Sequence, residues 1–254
     1  MVKPKKQLGQ HFLTDPKTAR KISQQLKNVN NAPVIEIGPG KGMLTKFLLE
    51  KDFQFFVIEK DTESVDYLKE NYPQLSGNII YGDILKKDFN EFSENGVVLI
   101  SNLPYNISAP VMFILYENRN IINESVLMLQ KEVAKRICSE PGSKVYGILS
   151  VLIQTYYKTE YLFTVNEGAF FPKPAVKSGV IRLSRDYSKR EPDNVKLHKK
   201  LVKMSFNKRR KTLRNSLKSI LVNLPPDADW LGKRPEQCSI DDFIDISNAL
   251  NKIN

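Results

Sequence analysis

The 254-residue sequence predicts an α/β fold: a mostly parallel sheet with helices on both faces, followed by a small all-helical C-terminal domain. Three observations lead there. Short apolar runs alternate with helical patterns between residues 34 and 101. A glycine-rich turn, Gly38-Pro39-Gly40-Lys41-Gly42, stands where the first run meets the first helix. Strand signals stop after residue 183. Alternation of this kind implies parallel strands joined by crossover helices.

The elements follow in order. Residues 34–37 form a short apolar strand that enters the glycine turn, and Met43, Leu44, Phe47 and Leu48 continue with helical spacing. Residues 55–59 are a second strand and 61–70 a second helix. Residues 78–81 and 97–101 are two more strands. Residues 110–116 read as a helix, 125–129 as a buried strand, 131–137 as a short helix and 147–157 as a longer one. Residues 161–165 and 176–183 close the sheet. Residues 184–194 are polar, contain Pro192, and read as a linker. Beyond them, residues 195–206, 211–222 and 240–252 carry helical spacing. The expected domains are therefore 1–185, including an N-terminal basic arm and helix over 1–30, and a helical domain over 186–254.

Composition excludes several classes. The chain is 41% hydrophobic, ordinary for a globular protein. No apolar run approaches the roughly 18 residues needed to span a bilayer, and no signal-peptide core follows Met1, so a cytoplasmic location is expected. Cys138 and Cys238 lie far apart, and the two histidines are His11 and His198, so neither a disulfide framework nor a metal site is expected. The formal charge is +11. Solubility alone needs no partner, but the charge is concentrated: residues 196–218 hold ten Lys or Arg and no Asp or Glu. Such a one-signed block suits a polyanion such as nucleic acid. Lys208, Arg209, Arg210, Lys211 and Arg214 are the expected contacts, on a helix. Lys3, Lys5 and Lys6 are read as a flexible arm over the same polyanion.

Four strand ends carry polar or glycine residues: Gly38, Glu59, Asp83 and Asn102. Ligands of open α/β sheets bind at the carboxyl ends of the strands. Glycines let the backbone approach a ligand closely. Glu59 is placed to accept from ribose hydroxyls, and Asp83 from an adenine amino group. A dehydrogenase would share these features, so Asn102 decides the chemistry.

Asn102-Leu103-Pro104-Tyr105 matches the [N/D]-x-P-[Y/F] signature of amino-methyltransferases. An adenine N6 lone pair is delocalised into the ring and is a poor nucleophile. Two acceptors holding its N–H groups favour a pyramidal nitrogen. The Asn102 side-chain oxygen and the Leu103 carbonyl are the expected acceptors, and Pro104 fixes the turn. Tyr105 offers a ring on which a base stacks, worth roughly 1–3 kcal/mol. The reaction needs orientation more than a general base. The sheet is thus expected to be a Rossmann-like class I methyltransferase sheet. Phe170 or Phe171, in a proline-stiffened segment, is expected to face Tyr105 across the base.

With these residues in hand, the chain resembles the small-subunit ribosomal RNA adenine N6-dimethyltransferases, the dimethyladenosine transferase family. The resemblance runs from Gln7-Leu8-Gly9-Gln10-His11-Phe12-Leu13 through residues 36–42, Asn102-Leu103-Pro104-Tyr105-Asn106-Ile107-Ser108, residues 128–133 and 170–178, to Arg209-Arg210-Lys211-Thr212-Leu213-Arg214-Asn215. It implies S-adenosylmethionine as methyl donor and no metal. It implies four methyl transfers to two adjacent adenosines in a hairpin loop near the 3′ end of 16S rRNA, within an assembling small subunit, by a monomer. By position it implies cofactor contacts at His11, Leu13, Gly38, Glu59, Asp83 and Asn102, and it favours Phe170 as the second stacking ring. His11 replaces the commoner asparagine of the family, leaving open whether that contact uses side chain or backbone. Two competing readings are a 23S rRNA adenine methyltransferase of the macrolide-resistance type and a non-catalytic assembly factor on the same fold. A DNA adenine methyltransferase fits less well, since those more often carry Asp-Pro-Pro-Tyr.

Overall fold

The computed structural model describes residues 2–29, 31–208, 210–220 and 229–252. The chain divides into two compact units. The first holds residues 1–134 and 159–185, the second residues 135–158 and 186–254. The sequence reading places a single boundary at residue 185; the second unit also takes residues 135–158.

Nine strands, all within the first unit but for the first two residues of the seventh, are β1 (Phe12–Leu13), β2 (Val34–Ile37), β3 (Phe55–Glu59), β4 (Ile79–Tyr81), β5 (Val97–Asn102), β6 (Ile122–Gln130), β7 (Tyr157–Val165), β8 (Phe170–Phe171) and β9 (Ser178–Arg185). Seven form one sheet in the order β4-β3-β2-β5-β6-β9-β7. The strands from β2 to β6 pair in parallel, and β9 runs antiparallel to β6. Order reverses between β2 and β5, the switch point at which such sheets open a ligand crevice. Strands β2 and β5 are buried along nearly their whole length, as two-sided coverage by helices requires.

The remaining two strands, β1 and β8, form a separate antiparallel pair, Phe12 opposite Phe171 and Leu13 opposite Phe170. Two residues carry too little periodicity to be read from sequence. Strands β6 and β7 are longer than predicted, and the helix expected over 147–157 ends sooner, at Ile148–Gln154.

In the second unit, the helix Val195–Asn207 buries His198, Leu201 and Val202, and Ile240–Asn251 buries Phe243 and Ile244. The Phe206 and Phe243 rings stack at 5.9 Å. Residues 135–158 join through specific bonds. Gln154 donates to the Ile137 and Ser139 carbonyls at 2.8 and 2.9 Å and ties the segment to itself, while Thr155 meets His198 of the helix Val195–Asn207 at 3.3 Å.

Of the helix predicted over 211–222, the described residues form Leu213–Ser216, and 221–222 lie outside the described residues. Lys208, Arg210 and Lys211 are not helical, and Thr212, extended, starts the new turn. Like charges three and four residues apart disfavour a continuous helix here. Among the described residues, no helix is long and apolar enough to cross a membrane.

Candidate active site

Register brings the polar strand ends together. Ile37 pairs with Ile58, Glu59 with Tyr81, and Glu36 with Ile100, so Gly38, Glu59, Asp83 and Asn102 end on one side of the sheet. All four line an open cleft of about 880 Å³ within the first unit. The Ser101 hydroxyl donates to the Ile37 carbonyl at 2.6 Å and locks the ends of β5 and β2 side by side.

The glycine turn forms the floor. Gly38 and Gly40 have φ of +63° and +56°, a region that favours glycine. A Cβ on Gly40 would lie 2.7 Å from the Phe12 ring, so the close approach of β1 also requires glycine there.

Glu59 is buried and held by three backbone N–H groups. Gly40 donates to Oε2 at 3.1 Å, and Lys60 and Asp61 donate to Oε1 at 2.8 and 2.9 Å. Burial pushes its carboxyl above the ordinary range, against the pull of these bonds. A carboxylate has about four acceptor positions, so the free capacity lies mainly on Oε2. Asp83 accepts from the Leu85 N–H at 3.0 Å and pairs with Lys60 at 2.7 Å. Burial pushes its carboxyl up, but Lys60 and the Leu85 N–H outweigh that and hold it below its usual value. Beneath the turn, Glu36 is fully enclosed. The Thr45 hydroxyl donates to it at 2.6 Å, and burial raises its pKa to about 8.

Asn102 ends β5. Its Nδ2 donates to the His11 carbonyl at 3.1 Å. A carbonyl only accepts, so this bond sets the amide rotamer and leaves Oδ1 available for an outside donor. The Leu103 N–H donates to Met128 O at 2.9 Å and fixes the following peptide. Pro104, at φ −54° and ψ 133°, leads into a 3-10 turn that begins at Tyr105. The Tyr105 hydroxyl bonds Ser178 Oγ at 2.8 Å, and its ring lies 5.4 Å from the His11 imidazole, tilted by 36°. The His11 Nδ1 bonds the Pro172 carbonyl at 2.7 Å.

Of the predicted site residues, Gly38, Glu59, Asp83, Asn102, Leu103, Pro104, Tyr105 and His11 line the cleft. Leu13 is buried and lines a smaller adjoining recess that also touches Gly38 and Asn102. Phe170 does not line the cleft. It is 5% exposed, packed in the core opposite Leu13. Phe171 is 63% exposed. Strand alternation explains the difference, since neighbouring residues point to opposite faces.

Lys5 departs from the expected arm: its ammonium pairs with Asp61 and with Glu63, the latter at 3.0 Å. Lys208, Arg210, Lys211 and Arg214 are exposed in the second unit, and Arg209 lies outside the described residues. Ser101, Ser178 and Phe12 were not singled out in sequence. The only signal there was that Phe12 and Ser178 fall inside or beside the runs that carry the family resemblance.

The sheet order, the glycine turn and the Asn-Leu-Pro-Tyr cleft define a class I methyltransferase. Residues 1–252 match the ribosomal RNA adenine dimethylase family, and the chain belongs to that family. It is 51% identical to the ribosomal RNA small subunit methyltransferase A of Bacteroides thetaiotaomicron, covering 99% of this chain and 96% of that protein. It is 50% identical to the one from Porphyromonas gingivalis, covering 99% of each. Among solved structures it is similar to a dimethyladenosine transferase from Plasmodium falciparum, with a TM-score of 0.76 and 26% identity over 95% of this chain and 98% of that one. The 23S rRNA methyltransferase ErmE shares the fold, with a TM-score of 0.67 and 23% identity over 93% and 99% of the two chains.

Proposed function

We propose that this enzyme uses S-adenosylmethionine to dimethylate N6 of two adjacent adenosines in the hairpin loop near the 3′ end of 16S rRNA. Its substrate is the immature small subunit, and it acts as a cytoplasmic monomer. The observation that carries this reading is the convergence of Gly38, Glu59, Asp83 and Asn102 on one cleft. Identity of about half to small-subunit methyltransferases supports the choice of RNA over the 23S alternative.

The residues present fit the methyl donor. Gly38 and Gly40 offer bare backbone on the floor, Glu59 Oε2 retains acceptor capacity toward a ribose hydroxyl, and Asp83, held below its usual carboxyl range, accepts from an adenine amino group. His11 supports the donor site through its backbone, because its carbonyl fixes Asn102. Bound there, the donor supplies an electrophilic methyl group.

The protein's part is orientation. Asn102 Oδ1 and the Leu103 carbonyl accept the two N6 hydrogens and turn the nitrogen lone pair out of conjugation. Tyr105, held by Ser178 and His11, supports the base by stacking. After one transfer the amine has a single N–H, so only one acceptor keeps its partner. The two-acceptor geometry therefore serves the first methylation more fully than the second. In the second unit, Lys208, Arg209, Arg210, Lys211 and Arg214 meet rRNA phosphates.

The test supplies labelled S-adenosylmethionine and small subunits from a strain lacking this methylation. Recovery of N6,N6-dimethyladenosine in 16S rRNA is expected. Label in 23S rRNA instead, or none at all, would overturn the reading.

A further inference from the structure

Beside the catalytic cleft lies a second recess of about 740 Å³ that the methyl-transfer chemistry leaves unused. Phe12, Tyr67, Tyr72 and Phe171 border it, together with Lys41 and Lys46. The two-residue ladder forms one wall. Alternation sends Leu13 and Phe170 into the core and places Phe12 and Phe171 opposite each other on the other face. At 63% exposure, Phe171 gains little from folding by standing there.

The remaining walls are firm and basic. The Tyr72 hydroxyl donates to the Gly42 carbonyl at 3.0 Å, and Gly42 lacks the Cβ that would collide with that ring. The Lys41 ammonium lies 5.5 Å from the Phe12 ring centroid, and Lys46 is exposed. Among the described residues, neither lysine is in an ion pair. An exposed aromatic face, that of Phe171, beside ammonium groups free of ion pairs is the chemistry of single-stranded nucleic acid: bases stack and phosphates meet the cations.

Phe12 lines both this recess and the catalytic cleft. A strand with its target base in the cleft has its next nucleotide at that shared wall. The geometry points to the recess as the seat of the nucleotide adjacent to the target adenosine, its base on Phe171 and Phe12 and its phosphate at Lys41 and Lys46. This rests on the single-stranded adenosine substrate proposed above. It assigns the neighbouring adenosine a place while the first is being methylated.

Two measurements test it. In methyl transfer to undermethylated small subunits, Phe171→Ala should raise KM by about five- to 150-fold, the range of one missing base stack. Its kcat at saturation and its cofactor affinity should be unchanged, and Phe171→Tyr should restore KM. Lys41→Gln combined with Lys46→Gln should raise KM and flatten its salt dependence. Separately, a short single-stranded RNA carrying 2-aminopurine at the nucleotide next to the target adenosine should be quenched by the wild-type protein and clearly less by Phe171→Ala. An unchanged KM in Phe171→Ala, failure of Phe171→Tyr to rescue, or no quenching by the wild type would overturn the proposal. If the wild type methylates no small subunits, the substrate reading fails instead, and the quenching measurement alone decides the recess.

Discussion

The Asn102 side-chain amide donates to the main-chain carbonyl of His11 at 3.1 Å. Ninety-one positions separate the two residues, and the bond decides which end of the amide faces the cleft. The bond uses the His11 backbone, while the His11 side chain bonds the Pro172 carbonyl and lies against the Tyr105 ring.

Replacing Asn102 therefore removes an acceptor at the reacting amine and a tie to the N-terminal segment. Asn102→Ala should lower kcat by about a hundredfold or more, as removal of one preorganised polar group does elsewhere. Subunit binding should stay near wild type. Ordinary turnover in a methyl-transfer assay would refute the assigned role.

Tyr105 combines a stacking face with a hydroxyl anchored on Ser178. Tyr105→Ala should cost roughly five- to 150-fold in kcat/KM by removing the stack. Tyr105→Phe keeps the ring and gives up one hydrogen bond, so about fivefold is expected. Equal effects in the two variants, measured on the same subunit preparation, would show that the ring does not stack.

Glu36 gives a pH-dependent stability. Its pKa rises from an ordinary 4.5 to about 8 in the folded protein. The folded state thus holds a proton that the unfolded state has released between those values. Its contribution is fully present below 4.5 and is lost as pH rises through about 8, by at most about 1.4 kcal/mol per pH unit. Glu36→Gln still accepts from Thr45 and cannot ionise. Urea unfolding at pH 6 and pH 9 should show a smaller fall for the variant, and an identical fall would mean that Glu36 does not titrate this way.

The exposed cations of the second unit predict a salt signature. Lys208→Gln with Arg210→Gln and Lys211→Gln should weaken binding to small subunits. The slope of log K against log salt should shrink by roughly two to three, about 0.7–0.9 for each phosphate that is no longer neutralised. Binding at several salt concentrations is the measurement. Unchanged affinity and slope would leave these residues a solubilising role alone.

Much of the first unit was legible because its signals are local. A buried parallel strand is a short apolar run, a glycine turn is a string of residue types, and a strand end is the next polar residue. Those signals named Gly38, Glu59, Asp83 and Asn102, and the register of β2 to β5 then gathered them. The basic block was equally plain, though its helical shape was not. Four adjacent cations weaken a helix that its apolar spacing suggests.

By itself, the sequence determined the order of the main-sheet strands, the chemistry available at their ends, and the sign of the charge on the basic block of the second unit. Only the tertiary structure decided which of two adjacent phenylalanines turns inward, which end of Asn102 faces the cleft, where Lys5 is spent, and that residues 135–158 belong with the second unit. Composition and periodicity record a residue's local preference. These outcomes depend on partners tens of residues away, such as β8 for β1 and His11 for Asn102, and no local pattern carries the identity of a distant partner.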